Sequence, residues 1–224
     1  MLERIGAPAI FFVSGRPLAE RRALSVHKIH ALRERLDDAA FAARLDDTLA
    51  AARIARPAVS AEEALAHYRY DGEAVARVKF LLNMVLAPQD GDAVVDRLFE
   101  EEIPDEAGFV DDLYMTADQV AELERAHAAI GAHSYGHHPL ALLDDEALDR
   151  DLEKVAALLR EITGTRPLAF SYPYGTPQTV DERAARRLKA TGYEVGFTSE
   201  RAANTTLEEP LLLARMDTND LPVA

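Results

Sequence analysis

Ile130-Gly-Ala-His-Ser-Tyr-Gly-His-His138 is the stretch on which the reading of this chain turns. Ile130 to His133 is a short apolar strand, and it runs straight into a loop with further histidines. Upstream, Thr116 caps a helix with Gln119 at the capping-box position, running to about Ala129. Downstream, Asp144 and Asp145 open a helix of Ala, Leu, Glu and Lys that ends at Gly164. Leu168 to Tyr172 is a strand with a proline directly after it. Val180 to Ala190 is a helix stopped by Gly192, and Tyr193–Thr198 and Leu211–Met216 are the last strands. Near the start, Leu2 to Ile5 reads as the end of a helix, broken at Gly6. Ala9 to Ser14 is then an apolar strand closed by Gly15. Strand, helix, strand at this spacing predicts parallel β-α units and an α/β fold. Chemistry in such folds gathers at the carboxyl ends of the strands, where the histidine loop stands.

Between these parts lies a helix-rich block. Arg16 to Ile54 is dense in Ala, Leu, Arg and Asp at helical spacing, and Pro57 breaks it. Ser60-Ala-Glu-Glu63 opens the next helix as a capping box. Glu73 to Leu86 is more apolar, and Ala93 to Glu102 is a further helix ended near Pro104. About 90 residues pass without a strand signal, and an unstructured loop of that length is rare. The block is therefore read as a helical insertion over 16–115 within a single domain, 1–224. Its apolar run from Val75 to Leu86 serves either as the core of the block or as a surface for oligomerisation.

Composition narrows the function. The 224 residues are 48% hydrophobic and 29% charged, enough to bury a core. A formal net charge of −14 repels phosphate backbones and anionic lipid, which argues against nucleic-acid and membrane partners. With no cysteine, disulfides, thiolate metal sites and cysteine nucleophiles are excluded. No segment approaches the roughly 18 apolar residues of a membrane span. The start, with Glu3 before Arg4 and a short apolar run from Ala7 to Val13, makes a poor signal peptide. A cytoplasmic location is the expectation.

Two stretches hold candidate chemistry. His133 and His137 are four apart after a strand. If the loop opens as a helical turn, both imidazoles share one side and can share a metal; otherwise the loop is polar with scattered histidines. The second stretch, Phe170-Ser-Tyr-Pro-Tyr-Gly175, makes a tight turn at a strand's end. Backbone N–H groups in such a turn can face a developing oxyanion, or the aromatics can simply cap the fold.

Taken together, these stretches resemble the polysaccharide deacetylase family, the NodB-type carbohydrate esterases. His133, Ser134 and His137 match its His-Ser/Thr-x-x-His metal motif, and Tyr172 to Gly175 match its Tyr-Pro-Tyr-Gly turn. Ile5-Gly-Ala-Pro-Ala-Ile-Phe-Phe-Val13 is similar to a strand usually written GIPATFFV. Thr191-Gly-Tyr-Glu-Val-Gly-Phe-Thr198 and Leu213-Ala-Arg-Met-Asp217 are similar to its late GY..AFT and LPRI strands. The resemblance covers residues 1–15 and about 115–220. It implies an incomplete or distorted (β/α) barrel with a large helical insertion. It implies a hydrolase acting on the linear amide C–N bond of N-acetylated sugars in a polysaccharide, with a divalent metal, usually zinc. His133 and His137 would hold the metal, the backbone N–H of Tyr174 would help bind the oxyanion, and Ser134 would orient the loop. Tyr172, Pro173 and Asp217 are the candidate substrate contacts. Arg215 and Asp217 face the rim if the barrel reading holds, and a carboxylate at Asp217 would contact the sugar or the histidines.

Three departures from the family pattern stand out. The motif of the type Thr-Phe-Asp-Asp-Gly, which supplies the base and third metal ligand, has no place before Phe11. Asp111-Asp112 looks similar but stands just before the helix that leads to the histidines. Ser171 stands where many relatives have an arginine that braces the base, and no histidine follows His138 to act as general acid. Of the remaining histidines, His138 is one that nothing in the sequence assigns a role, and His27, His30 and His67 read as helix-surface residues. The expectation is an N-terminally shortened deacetylase that binds zinc weakly and turns over little. The alternative is a non-catalytic sugar-binding or interaction protein on the same scaffold.

Overall fold

The computed structural model describes Gly6, residues 8–126 and residues 129–216. In chain order the regular elements are β1 (Ile10–Val13), α1 (Gly15–Glu20), α2 (Ser25–Arg35), α3 (Asp38–Ala52), α4 (Ala61–His67), α5 (Glu73–Phe80), α6 (Pro88–Glu102), α7 (Glu106–Leu113), α8 (Ala117–Arg125), β2 (Ala129–Ala132), α9 (Asp145–Thr163), β3 (Ala169–Ser171), α10 (Glu182–Thr191) and β4 (Val195–Phe197). The chain divides into two compact units, one of Met1–Glu20 with Leu113–Ala224 and one of Arg21–Asp112. The expected helix end at Leu2–Ile5 falls outside the described residues.

The first unit is α/β. Its four strands form one parallel sheet in the order β1-β2-β3-β4, with Val13 opposite Ala132, Ala132 opposite Phe170 and Phe170 opposite Gly196. Four strands in line make an open sheet, the incomplete form of a barrel. The rings of Phe12 on β1 and Phe197 on β4 still meet at 5.7 Å. Gly131 on β2 makes room for this, since a Cβ there would lie 2.5 Å from the Phe12 ring. On α9, Leu148, Leu152, Val155 and Leu159 recur at helical spacing and pack in one core with Ile130, Ala132, Phe170 and Leu188. Each such side chain contributes about 1.5–3 kcal/mol by leaving water. One residue on that buried stripe, Asp151, is charged.

Local signals set the helix ends. Thr116 accepts from the Gln119 N–H while the Gln119 side chain accepts from the Thr116 N–H, the expected capping box at the start of α8. Asp144 and Asp181 cap α9 and α10 with one bond each, accepting from the Ala147 and Ala184 N–H groups. The expected last strand at Leu211–Met216 is corrected. Pro210–Leu212 is a 3-10 turn, and only Leu213 bridges to Phe197 in parallel. Pro210 has no N–H to give to a ladder, so pairing starts late. The ladder there is two bonds, from Leu213 N–H to the Gly196 carbonyl and from Thr198 N–H to the Leu213 carbonyl.

The second unit is all helical, with no strand among its described residues. Its core joins Ile29 and Leu32 of α2, Phe41, Leu45 and Leu49 of α3, and Val94, Val95, Leu98 and Phe99 of α6. In the apolar stretch Glu73–Leu86, α5 passes into a π-helical turn at Leu81–Val85. There α6 comes so close that a Cβ on Gly91 would lie 2.6 Å from the Leu82 carbonyl oxygen. Leu81, Leu82 and Leu86 from the apolar run are buried in this core. Lys28 is fully buried, held by Asp96 and Glu106 at 2.6 Å each and lying over the Phe99 ring. Helix α7 was not anticipated. Asp105 starts it by accepting from the Gly108 N–H, and Phe109 packs on Phe99 at 5.1 Å.

Candidate active site

The carboxyl ends of β1, β2 and β3 bring Ser14, His133, Ser134, Ser171 and the turn after it to one edge of the sheet. His133 continues β2, its N–H donating to the Val13 carbonyl at 2.9 Å, and Ser14 Oγ donates to the His133 carbonyl at 2.7 Å. The His133 ring nitrogen Nδ1 lies 2.7 Å from the Ser171 carbonyl oxygen. A carbonyl only accepts, so Nδ1 carries the proton and the lone pair is left on Nε2.

The loop then turns sharply. Ser134 and His137 both have left-handed backbone, at φ of 63° and 62°. That conformation is costly for residues other than glycine and needs surrounding bonds to hold it. His137's ring lies 4.8 Å from the His133 ring and 5.2 Å from the Tyr174 ring. Helical geometry does not create this proximity, because no helix forms between the two histidines. The left-handed residues do.

Ser134 is fully buried; its Oγ donates to Asp151 at 3.0 Å and accepts from the His137 N–H at 3.0 Å. Asp151, 8% exposed, also accepts from the Tyr135 N–H at 2.9 Å and the Gly136 N–H at 3.0 Å. Asp151 was not among the sequence candidates. The signal that could have found it is its place between Leu148 and Leu152 on the apolar stripe of α9.

Tyr174 is half-buried with φ of 61°, and its carbonyl accepts from Ser199 Oγ at 2.7 Å. Gly175 follows at φ of 66°, and a Cβ there would lie 2.5 Å from the Ser199 nitrogen, so only glycine fits. The two proposed substrate contacts before Tyr174 are core residues. Tyr172 is fully buried, packs on Phe170 and donates its hydroxyl to the Leu211 carbonyl at 2.9 Å, and Pro173 is buried beside it. Parallel strands covered on both faces bury the side chains of both. Asp217 lies outside the described residues. Arg215 is exposed at this edge and donates from Nη1 to Ser171 Oγ at 3.1 Å. It thus reaches the residue whose carbonyl orients His133. The His138 ring lies over Gly136, where a Cβ would stand 2.9 Å from it.

By donor type, and for His133 also by tautomer, the two imidazoles suit a divalent cation. A catalytic zinc takes three protein ligands and leaves one position open. Among the described residues no group of three His, Asp or Glu is placed to hold a metal, so the pair supplies two. Asp111, on α7 in the helical unit, is exposed and pairs with Arg21 at 2.6 Å. Of the helical unit's histidines, His30 is exposed, while His27 and His67 are half-buried. A cleft of about 940 Å³ in the α/β unit runs along α10 and residues 208–212, and no histidine lines it. Among the described residues, no helix is long and apolar enough to cross a membrane.

No curated protein matches the chain. Among solved structures it is similar to the BpsB deacetylase domain from Bordetella bronchiseptica, at 20% identity over 46% of this chain and 48% of that one, TM-score 0.40. A polysaccharide deacetylase from Bacillus cereus matches at 19% identity over 44% of this chain and 30% of its own, TM-score 0.38. IcaB from Ammonifex degensii matches at 22% identity over 47% and 48%, TM-score 0.38. The chain spans no more than about half the length of each. The polysaccharide deacetylase family model matches residues 92–196, from within α6 through the histidine loop, α9 and the Tyr-Pro-Tyr-Gly turn into β4. Over that segment, a little under half of the chain, the sequence is similar to the polysaccharide deacetylase family.

Proposed function

We propose that this chain removes acetyl groups by hydrolysis from N-acetylated sugars of a polysaccharide, with His133 and His137 as two ligands of a divalent metal, most simply zinc. The observation that carries the reading is the His133–His137 ring pair at a parallel sheet's carboxyl edge, with the His133 tautomer set by Ser171. When bound, such a cation polarises the amide carbonyl and lowers the pKa of a water ligand to about 7. The chain's own residues do the rest. Ser171 keeps the His133 proton on Nδ1, which leaves Nε2 as the ligating atom. The Tyr174 N–H, in its left-handed turn, faces the oxyanion of the tetrahedral intermediate. Arg215 steadies Ser171. Asp217, two residues beyond Arg215, is the candidate for a carboxylate contact to the sugar or to the histidines.

Two neutral imidazoles hold a dication less firmly than a set that includes a carboxylate, so slow turnover is expected. Where no general base assists, the loss is about 10²–10⁴-fold. The experiment is acetate release from an N-acetylglucosamine oligomer with zinc supplied. Slow release that disappears in His133→Ala supports the proposal. Release that is equal in parent and His133→Ala overturns it. Oligomer binding without any release points to the non-catalytic sugar-binding reading.

A further inference from the structure

We infer that Asp151 is the positioning residue of the histidine loop: acting through Ser134, it fixes the left-handed backbone at His137 that turns this imidazole to His133. The role of the loop as a metal site rests on the function proposed above, whereas the positioning itself rests on the loop's own geometry.

A carboxylate on the buried stripe of α9 needs a reason. Its neighbours on that stripe, Leu148, Leu152 and Val155, are fully buried, and burying a charge there is costly unless hydrogen bonds satisfy it. Among the described residues, Asp151 makes no ion pair with a Lys, Arg or His. Its negative charge is met by three donors of one loop instead: Ser134 Oγ and the Gly136 N–H on Oδ2, and the Tyr135 N–H on Oδ1. Successive N–H groups turned toward one anion form a nest. Here the anion is part of the protein.

The direction of the bonds matters. An ionised carboxylate only accepts, so the single Ser134 hydroxyl proton points to Asp151. The Ser134 lone pairs are then turned to the His137 N–H, which donates at 3.0 Å. The chain of bonds runs from helix α9 to the backbone of His137 without contacting either imidazole. It also spans both strained positions, Ser134 and His137. A same-shaped amide cannot replace the carboxylate. In Asp151→Asn one oxygen becomes an NH₂, which faces a donor whichever way the amide is flipped. The requirement is for the charge and its acceptor geometry, so it goes beyond packing.

The test uses the full chain, labelled with ¹⁵N. In Asp151→Asn, hydrogen exchange at the His137 amide should accelerate by about tenfold, the worth of one lost hydrogen bond. Protection in β1–β4 and the melting temperature should stay near the parent's. Ser134→Ala should do the same at His137, and the double variant should be no worse than Asp151→Asn alone, because both act through one path. Asp151→Glu, which keeps the charge, should recover part of the protection. Zinc affinity, measured in the same samples, should fall about 10–100-fold in Asp151→Asn. Unchanged His137 exchange in Asp151→Asn and Ser134→Ala overturns the inference. If Asp151→Asn does not fold, Ser134→Ala decides. Faster His137 exchange in a chain whose parent takes up no zinc upholds the positioning and sets aside the metal reading instead.

Discussion

Gly175 shows how one residue sets the Tyr174 turn. Its φ of 66° and the 2.5 Å approach of Ser199 leave no space for a methyl group. Gly175→Ala is expected to cost about 1–3 kcal/mol in urea unfolding. Acetate release should fall as well, because Tyr174 precedes the strained position. The two histidines and Ser134 were legible as a spaced motif after a strand. Asp151 was not, because Asp144, Asp145, Glu146 and Asp149 surround it and the whole run reads as a solvated acidic face. Only its alignment with Leu148, Leu152 and Val155 sets it apart. Tyr172 was misplaced for the opposite reason. An aromatic beside a proline turn looks like a rim residue, yet β3 is covered on both faces and the ring goes inward.

At the scale of elements, capping signals predicted well wherever side chain and backbone agree, as at Thr116 with Gln119 and at Asp144. They failed where tertiary contact dominates. The π-turn after α5 follows from the close approach of Gly91, which no local pattern announces. The last strand shrank to a bridge because Pro210 favours a turn. The helices of the second unit carry a pH-dependent property. His27 on α2 and His67 on α4 are half-buried, and burial lowers the pKa of both imidazoles; the like charge of His30 adds to this at His27, and that of Lys79 at His67. The folded chain therefore binds fewer protons than the unfolded chain just below the ordinary histidine pKa. Stability should be full above about pH 7 and fall as pH drops through about 6.5 toward the lower folded values. Urea midpoints across that range should show the slope in the parent, and the slope should shrink in the double variant His27→Gln, His67→Gln. An equal slope in both would contradict this account.

On the scale of the whole molecule, the chain is two units with separate cores, and the family match runs from the last part of one into the other. The α/β character was legible from the strand and helix alternation. The helical block was legible as helices, and as a compact unit it runs from Arg21 to Asp112, inside the expected 16–115. The central claim is that the strand-end histidines form one metal-binding pair. It is tested most directly by titrating the metal-free full chain with zinc in a calorimeter, beside His133→Ala and His137→Ala. The account predicts one zinc per chain in the parent, with affinity reduced by more than about 100-fold in each variant, beyond the cost of disturbing a residue that only supports a ligand. Parent-like isotherms in both variants, or no zinc uptake by the parent, would contradict it.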